Sequence, residues 1–211
     1  MTTVTTVRRR RPEDGTATAR DSAGGFRRRL LDGLAASIAD KGYQNTTIAD
    51  VVRRARTSRR TFYEHFSGKD ECFVALLTDV NTETIRQISA AVDQTAPWTS
   101  QVRQAIETWI ACAESQPTIM VSWIRDVPSL GDAARRLHRD VVEAFVVMIQ
   151  TICDTEEWRA AGAGPVPRQL AIMLLGGLRL LTGTTLEDGG RISDFTETAV
   201  EASIALLGPR A

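Results

Sequence analysis

The sequence predicts an all-α protein, and three observations support this fold class. From Phe26 onward, apolar residues recur at intervals of three and four, which is the spacing of one helix face. Glycines and prolines separate these segments, and no alternating apolar and polar run bounded by hairpin turns occurs. The chain has 211 residues, 43% of them apolar and 25% charged, so it can bury a core of normal size.

The first 25 residues contain almost no large apolar side chains. Such a segment cannot offset the entropy of ordering, so we expect residues 1–25 to form a mobile arm without secondary structure. The first predicted helix starts at Phe26 and ends at Lys41-Gly42, because a cation in the last turn followed by glycine favours a helix end.

Three more helices are predicted before residue 93. The second starts behind Thr47, whose spacing to Asp50 resembles a capping box. The third starts near Ser58. The fourth opens at Ser67 and Asp70, again with a cap-like spacing, and extends to about residue 92. We expect the third helix to bury Phe62 and Phe66.

The remainder of the chain is predicted to be helical between breaks at Pro97, Pro117, Pro128, the Gly162–Pro167 segment and Gly189-Gly190. The predicted helices cover residues 98–114, 117–126, 132–155, 167–186 and 193–207. We therefore divide the chain into an arm (1–25), a small three-helix domain (26–72) and a larger helical domain (73–211).

The charge is distributed unevenly along the chain. Residues 1–72 carry thirteen arginines and two lysines against nine acidic residues, a net charge of +6, and the rest carries −6 because the whole chain is neutral. A basic end joined to an acidic body indicates that one end meets a polyanion. Nucleic acid is the first candidate and a membrane surface the second. Two interpretations of the basic run Arg8–Arg11 stay open, a solvated tail or an arm in a DNA minor groove.

No feature indicates catalysis, a metal or a cofactor. The three cysteines are odd in number and form no C-x-x-C pair, which argues against disulfides and a zinc ribbon and favours a reducing cytoplasm. His65 has no carboxylate or nucleophile at a spacing typical of a triad. No apolar run reaches the roughly 18 residues that cross a bilayer, so no membrane-spanning helix is expected, and nucleic acid rather than a membrane is the expected partner.

Three helices with a short second and third member, and arginines at the start of the third, describe a helix-turn-helix unit. A recognition helix must present polar side chains to a major groove about 12 Å wide while an apolar face holds it from behind. Arginine can donate two hydrogen bonds to guanine. The residues that meet this requirement are Thr57, Ser58, Arg59, Arg60 and Thr61.

The segment from Gly42-Tyr43 through Thr46-Thr47-Ile48-Ala49-Asp50-Val51 to Thr61-Phe62-Tyr63-Glu64-His65-Phe66-Ser67-Gly68-Lys69-Asp70 resembles the DNA-binding domain of the TetR family of bacterial transcriptional regulators. The resemblance spans about residues 26–75. It implies that Thr47 contacts a backbone phosphate, that residues 57–61 face bases and nearby phosphates, and that Tyr63, His65 and Lys69 contact the strand edge opposite. It also implies a ligand-binding and dimerisation domain behind the DNA-binding one.

One position departs from the family pattern. Where the family usually has Ala-Gly-Val-Ser across the turn, this chain has Ala55-Arg56-Thr57-Ser58. Either Arg56 adopts a left-handed conformation at a cost of about 1–2 kcal/mol, or the turn differs. We expect its guanidinium to reach a DNA phosphate.

The larger domain is predicted to form a homodimer and to hold a ligand. An isologous apolar patch on the last two helices would comprise Met173, Leu174, Gly177, Leu178, Leu181, Phe195, Ala199, Ala202 and Leu206. Loose packing within one chain is the alternative. A cavity for an apolar or aromatic effector would be lined by Trp109, Met120, Trp123, Phe145 and Met148, although such residues often form plain core. Arg179 would meet a ligand carboxylate or, more in keeping with its setting, form a salt bridge with an acidic neighbour or with its dimer mate.

The predicted function is that of a transcriptional regulator, most simply a repressor, which binds a palindromic double-stranded DNA operator as a homodimer and is released by a small-molecule effector. A non-specific architectural DNA-binding protein explains the charge distribution equally well, and a helical enzyme is a remote alternative.

Overall fold

The computed structural model describes residues 14–209, with side chains from residue 24 onward. These residues form helices joined by turns, with no strand among them, which confirms the all-α fold class. The basic run Arg8–Arg11 lies outside the described residues. The helices are α1 (Asp14–Asn45), α2 (Ile48–Arg54), α3 (Arg59–His65), α4 (Lys69–Ala91), α5 (Trp98–Ser115), α6 (Pro117–Arg125), α7 (Gly131–Ile152), α8 (Glu156–Ala160), α9 (Arg168–Glu187) and α10 (Thr196–Leu207).

Helix α1 starts earlier than the sequence predicts. Residues 14–25, which we expect to be without structure, continue the helix toward its amino terminus. A formed helix extends at one hydrogen bond per residue fixed, and this segment contains helix-compatible alanines, so no apolar stripe is needed. At Gly42, where the sequence predicts the helix to end, the structure has a break, because Gly42 has a non-helical conformation with φ of 77°, and the helical segment then continues to Asn45.

The first three helices pack around one apolar centre, and α4 packs against α1. Leu30, Leu34 and Ile38 of α1 are fully buried, as are Val51 of α2 and Phe62 of α3. The predicted capping box at the start of α2 is present, since the Thr47 side chain accepts from the Asp50 N–H and Asp50 accepts from the Thr47 N–H. This cap fixes the start of α2, against which α3 packs.

Helix α4 starts differently from the prediction. Its N-cap is Gly68, and the Ser67 N–H and hydroxyl donate to Glu71 at 2.7 and 2.6 Å, not to Asp70. Asp70 is engaged elsewhere, because its carboxylate accepts the hydroxyl proton of Tyr43. Helix α4 then crosses residue 72 and packs against α5 and α7, so it is shared by both parts of the chain.

The larger part contains α5 to α10, in which α5 packs on α4 and α10, and α7 on α4 and α9. Short 3₁₀ turns at Val127–Leu130 and Ile192–Phe195 precede α7 and α10. The predicted helix 132–155 ends at Ile152, and the short α8 follows. Helix α8 is held by Trp158, which is fully buried and donates its indole N–H to Gln101 Oε1 at 3.0 Å.

One helix in the described part of the chain, α9, is long and apolar enough to cross a membrane by length and composition alone. The core helices of soluble proteins pass the same test. About 28% of the apolar stretch of α9 is buried within the chain, so most of this stretch is at least partly exposed and can contact another molecule.

Candidate nucleic-acid interface and internal cavities

Helix α3 presents a polar face to solvent and an apolar face to the core. Phe62 is fully buried and Phe66 nearly so, with ring centroids 5.7 Å apart. On the outer side, Ser58, Arg59 and Arg60 are exposed. Ser58 is the N-cap, and its hydroxyl accepts from the Thr61 N–H at 3.1 Å. The helix start therefore has a fixed position from which the arginines project.

The turn between α2 and α3 contains the left-handed residue that the sequence suggests. Arg56 has φ of 49°, and among the described residues it is the non-glycine residue with positive φ. Its N–H donates to the Arg53 carbonyl at 3.3 Å, and the Thr57 N–H donates to the Val52 carbonyl at 3.0 Å. These bonds satisfy carbonyls at the end of α2, which is what a left-handed residue after a helix does.

The arginines around this turn fall into two groups. Arg53 pairs with Asp50 at 2.8 Å, Arg54 with Asp40 at 2.7 Å, and Arg60 with Glu64 at 3.2 Å. Arg56 and Arg59 are exposed and make no ion pair with any residue between 24 and 209. These two guanidinium groups are available to an incoming anion without breaking an internal contact.

Two of the predicted phosphate contacts already have internal partners. The Thr47 hydroxyl donates to Asp50 Oδ2 at 2.6 Å, so its single proton is engaged in the cap. Lys69 Nζ donates to the carbonyls of Tyr43 and Thr46 at 2.9 and 3.0 Å, which leaves one ammonium proton for an outside acceptor. Both residues therefore stabilise the domain, and contact with DNA would be an additional role.

Tyr63 and His65 complete the predicted set. The Tyr63 ring packs edge-on against Phe62, with centroids 5.6 Å apart, while 57% of the residue is exposed. His65 at the end of α3 is half-buried. Both lie on the same short helix as the free arginine, so α3 brings base-facing and phosphate-facing candidates together.

Sequence reasoning missed the contacts that connect this domain to the body. Gln44 Nε2 donates to Asp126 Oδ1 at 2.9 Å, linking the end of α1 to the end of α6. The Tyr43 hydroxyl donates to Asp70, and burial together with that carboxylate raises the pKa of Tyr43 above its usual range. No local pattern predicts the Gln44 contact, because its partner is 82 positions away.

Two small cavities lie within the body, and the lining of the first is almost entirely apolar. The first, of about 50 Å³, lies between α5, α7, α9 and α10, and the second, of about 40 Å³, lies between α4, α5, α6, α7 and α9. Trp109 and Phe145 line both. Met148 lines the first, and Met120 and Trp123 line the second. The five predicted ligand residues therefore surround one pair of adjacent cavities.

The predicted dimer surface is only partly exposed. Leu178, Phe195 and Ala199 are buried in the chain's own core, Leu178 as part of the first cavity wall, so they do not face a partner in this conformation. This corrects the predicted set, which periodicity could not divide into inner and outer faces. Met173, Gly177 and Ala202 are exposed, and Leu174, Leu181 and Leu206 are half-buried. Leu180, which is not part of the predicted dimer patch, is 71% exposed.

The cysteines and carboxylates do not form an obvious chemical site. Between residues 24 and 209, no group of three or more His, Cys, Asp or Glu side chains is placed to hold a metal ion. Burial raises the pKa of Cys72 and of Cys153 to about 12, so both thiols stay protonated at neutral pH. Cys112 is half-buried, and its thiol donates to Gln87 Oε1 at 3.1 Å.

Comparison with known proteins supports a DNA-binding domain near the amino-terminal end of the chain. Residues 30–76 match the family model for bacterial regulatory proteins of the tetR family. The HTH-type transcriptional regulator BetI of Brucella canis is 25% identical over 129 residues, which cover 56% of this chain and 65% of that protein. The uncharacterized HTH-type transcriptional regulator YvdT of Bacillus subtilis is 33% identical over 60 residues, 28% of this chain and 31% of that protein. The chain thus matches somewhat less than two thirds of the length of BetI.

Solved structures resemble most of the described fold. The transcriptional regulator FadR from Bacillus subtilis, solved in complex with stearoyl-CoA, has a TM-score of 0.72 at 11% identity and covers 85% of this chain and 98% of that one. A putative TetR-family regulator from Mesorhizobium loti has a TM-score of 0.67 at 19% identity, covering 88% and 98%. Residues 30–76 of this chain thus match the tetR family of bacterial regulatory proteins, and the chain shares the all-α fold of these solved structures.

Proposed function

We propose that this protein is a cytoplasmic, ligand-responsive transcriptional repressor that binds a palindromic operator as a homodimer. The exposed polar face of α3 carries this proposal. It combines a free Arg59, exposed Arg60 and Tyr63, and a buried Phe62 that fixes the helix from behind. This is the arrangement that a major-groove reader needs.

Two copies of α3 are required to read a palindrome. In a symmetric dimer, the recognition helices would lie about 34–36 Å apart, one turn of DNA. The exposed apolar residues of α9, Met173 and Leu180, together with the glycines between them, offer a surface for a second copy. Each copy has its own α3, so a two-fold axis would place the two heads on successive grooves.

The paired cavities support binding of a small, apolar or aromatic effector. Their volumes of about 50 and 40 Å³ are well below the roughly 300–1,000 Å³ of ligand pockets, so an effector has to widen them. Among the structural neighbours, FadR from Bacillus subtilis was solved with stearoyl-CoA, which is consistent with effector binding by this architecture. The compact conformation would then be the ligand-free one that binds DNA.

Helix α6 offers a route from the cavities to the DNA-binding domain. Met120 and Trp123 of α6 line the second cavity, and α6 packs against α1. At its end, Asp126 accepts the hydrogen bond from Gln44. A ligand that pushes Trp123 outward would move α6 and shift α1 with α2 and α3. It can change the DNA-binding equilibrium only by its differential affinity for the two states.

Selection from genomic DNA fragments, followed by binding titrations over a range of salt, tests the proposal. We expect an enriched inverted repeat and a high ratio of specific to bulk-DNA affinity. Alanine at Arg59, Arg60 and Tyr63 together should weaken binding about 30-fold or more, since each good base contact contributes about 1–3 kcal/mol.

The matched control is the double variant Arg86→Ala, Arg159→Ala, which removes the same charge from exposed positions in the body and should leave operator affinity unchanged. Similar affinity for all sequences, with a steep salt dependence, would instead identify a non-specific architectural protein.

A further inference from the structure

We propose that the effector is an organic anion, a carboxylate carried on an apolar body, and that its oxygens pair with the guanidinium of Arg179. This inference rests on the proposed function, because it names the ligand class of the cavities described above. It starts from one side chain in the middle of the apolar helix α9.

Arg179 lies between aromatic rings and not on the exposed apolar face of α9. Its guanidinium carbon is 4.9 Å from the ring centroid of Trp123 on α6 and 5.8 Å from that of Phe145 on α7. An aromatic face attracts a cation, but it offers no hydrogen-bond acceptor to the five guanidinium N–H donors. The rings therefore hold the group without satisfying it.

No carboxylate of the described residues neutralises this charge. Arg179 makes no ion pair and donates no side-chain hydrogen bond to any residue between 24 and 209, whereas Arg168 on the same helix pairs with Glu143 at 2.9 Å. Burial lowers the pKa of Arg179 to about 10, so the guanidinium is still charged at neutral pH. Arg179 is half-buried, and a cation withdrawn from water in this way is normally paired, yet it has no anionic partner among the described residues.

Arg179 stands where an internal cavity meets a surface groove. It lines the second cavity together with Trp109, Met120 and Phe145. It also lines an open groove of about 690 Å³ between α6, α7 and α9, and Trp123 is shared by both spaces. A ligand that enters from the groove therefore meets the guanidinium and the Trp123 ring before it reaches the apolar interior.

The groove is positively charged around Arg179. Its ionisable residues are Arg135, His138, Arg139, Arg179 and Glu187. Arg135 pairs with Asp132 and Glu187 with Arg125, so both are at least partly neutralised. Arg139 and Arg179 remain as cations without a partner among the described residues. This excess attracts anions and repels cationic ligands.

The shape of the site fits a carboxylate on an apolar body. A guanidinium presents two parallel N–H donors that match the two carboxylate oxygens. Trp123, Ile124 and Val127 supply apolar surface beside it in the groove. Pairing with a carboxylate would draw the guanidinium off the rings of Trp123 and Phe145, which would open the way into the cavity and free α6 to move.

The experiment compares carboxylates with their uncharged counterparts. Purified full-length protein is titrated calorimetrically with benzoate, phenylacetate, hexanoate and octanoate and with the corresponding primary amides. We expect at least one carboxylate to bind ten times or more tighter than its amide. Arg179→Met, which keeps an apolar stem, should reduce that affinity at least tenfold. Arg179→Lys keeps the charge but loses the planar guanidinium, so its carboxylate affinity should lie between those of the wild type and Arg179→Met.

Arg168→Met is the matched control, since it removes an exposed arginine from the same helix and should bind the carboxylate like the wild type. Circular dichroism verifies that each variant is folded. Equal binding of acid and amide, binding of no carboxylate in the series, or unchanged affinity in Arg179→Met would each overturn the proposal. A variant that loses dimerisation but keeps carboxylate affinity would also overturn it, by showing that Arg179 pairs with a second copy.

The two proposals fail separately. Calorimetry measures the anion site without DNA, so carboxylate binding that persists when no operator can be found would retain this inference and contradict the regulatory function. A specific operator together with no carboxylate binding would support the regulatory function and overturn this inference.

Discussion

Arg56 combines a backbone role with a proposed role in binding. At φ of 49° it occupies the left-handed region where a side chain costs about 1–2 kcal/mol, and where the family pattern has glycine. The side chain is exposed and unpaired among the described residues, so the domain gains no visible internal contact in return. We interpret this arginine as one retained for phosphate contact at the expense of some stability.

Comparing Arg56→Gly with Arg56→Ala separates the two roles. Both remove the guanidinium, but only glycine relieves the strain, so the glycine variant should be about 1 kcal/mol more stable than the alanine variant, seen as a melting temperature roughly 2–4 °C higher. Both should lower the slope of log affinity against log salt by about one, the loss of one phosphate contact. An unchanged slope in both variants would show that Arg56 does not touch DNA.

At the scale of one helix, the crossing of α1 and α2 depends on Gly33. A Cβ at this position would lie 2.8 Å from the Val51 carbonyl oxygen and 3.2 Å from the Ala55 nitrogen, both backbone atoms that cannot turn aside. We therefore expect Gly33→Ala to cost about 1–3 kcal/mol, measured by urea unfolding, as the two helices are forced apart. Gly25→Ala on the same helix has nothing within 4 Å and should be neutral or stabilising. Equal stability of the two variants would contradict this account of the crossing.

The start of α2 should make the domain sensitive to acid. Hydrogen bonds from Lys41 and then from Thr47 hold the pKa of Asp50 well below its usual range. A carboxylate whose pKa is lower in the folded state stabilises the protein fully above its unfolded value near 3.9, and this contribution disappears as the pH falls through and below that value.

Asp50→Asn should therefore destabilise the protein at pH 7, and its difference from the wild type should begin to shrink at about pH 4 and narrow progressively as the pH falls further toward the lowered folded-state pKa, as measured by urea unfolding across the pH range. The control Asp188→Asn alters an exposed carboxylate that makes no ion pair with the described residues, and should run parallel to the wild type. If the gap between Asp50→Asn and wild type stays constant with pH, the charge of Asp50 is not the source of its effect.

Local signals predicted the elements better than the contacts between them. The break in α1 at Gly42 and the cap of α2 at Thr47 depend on a few neighbouring residues, so they can be predicted from the sequence. Helix α8 is too short to show a period, and what holds it is the distant hydrogen bond from Trp158 to Gln101. Glu71, and not Asp70, binds Ser67, because Tyr43 already occupies Asp70. Such choices depend on which side chains meet after folding.

The same limit applies to the candidate sites. Periodicity placed five apolar residues around the two cavities, because cavity walls share the inner faces of helices. Periodicity cannot separate the inner and outer faces of α9 and α10, so it predicts a dimer surface that includes Leu178, Phe195 and Ala199, all of which lie in the core. Nor could it find that Arg179 lacks a carboxylate, since a missing partner is visible only in three dimensions.

For the whole molecule, the exposed apolar side of α9 leads us to expect a homodimer. Met173 is 61% exposed and Leu180, about two turns later, is 71% exposed, with Gly176 and Gly177 between them. Isolated apolar residues are common on surfaces, but a stripe with glycines at its centre allows a second helix to approach closely. This stripe is also why α9 is apolar enough to resemble a membrane-spanning helix.

Met173→Glu should convert the dimer into a monomer of 23.1 kDa, because the new carboxylates would be buried against each other across a two-fold axis. Sedimentation equilibrium measures the mass, and operator affinity should fall with it, since each monomer reads only one half-site. Val147→Glu places the same charge on another exposed apolar residue, on α7, and should remain dimeric. A wild-type mass of 23.1 kDa, or dissociation by Val147→Glu and not by Met173→Glu, would move the interface away from α9 and remove the basis for a two-headed operator complex.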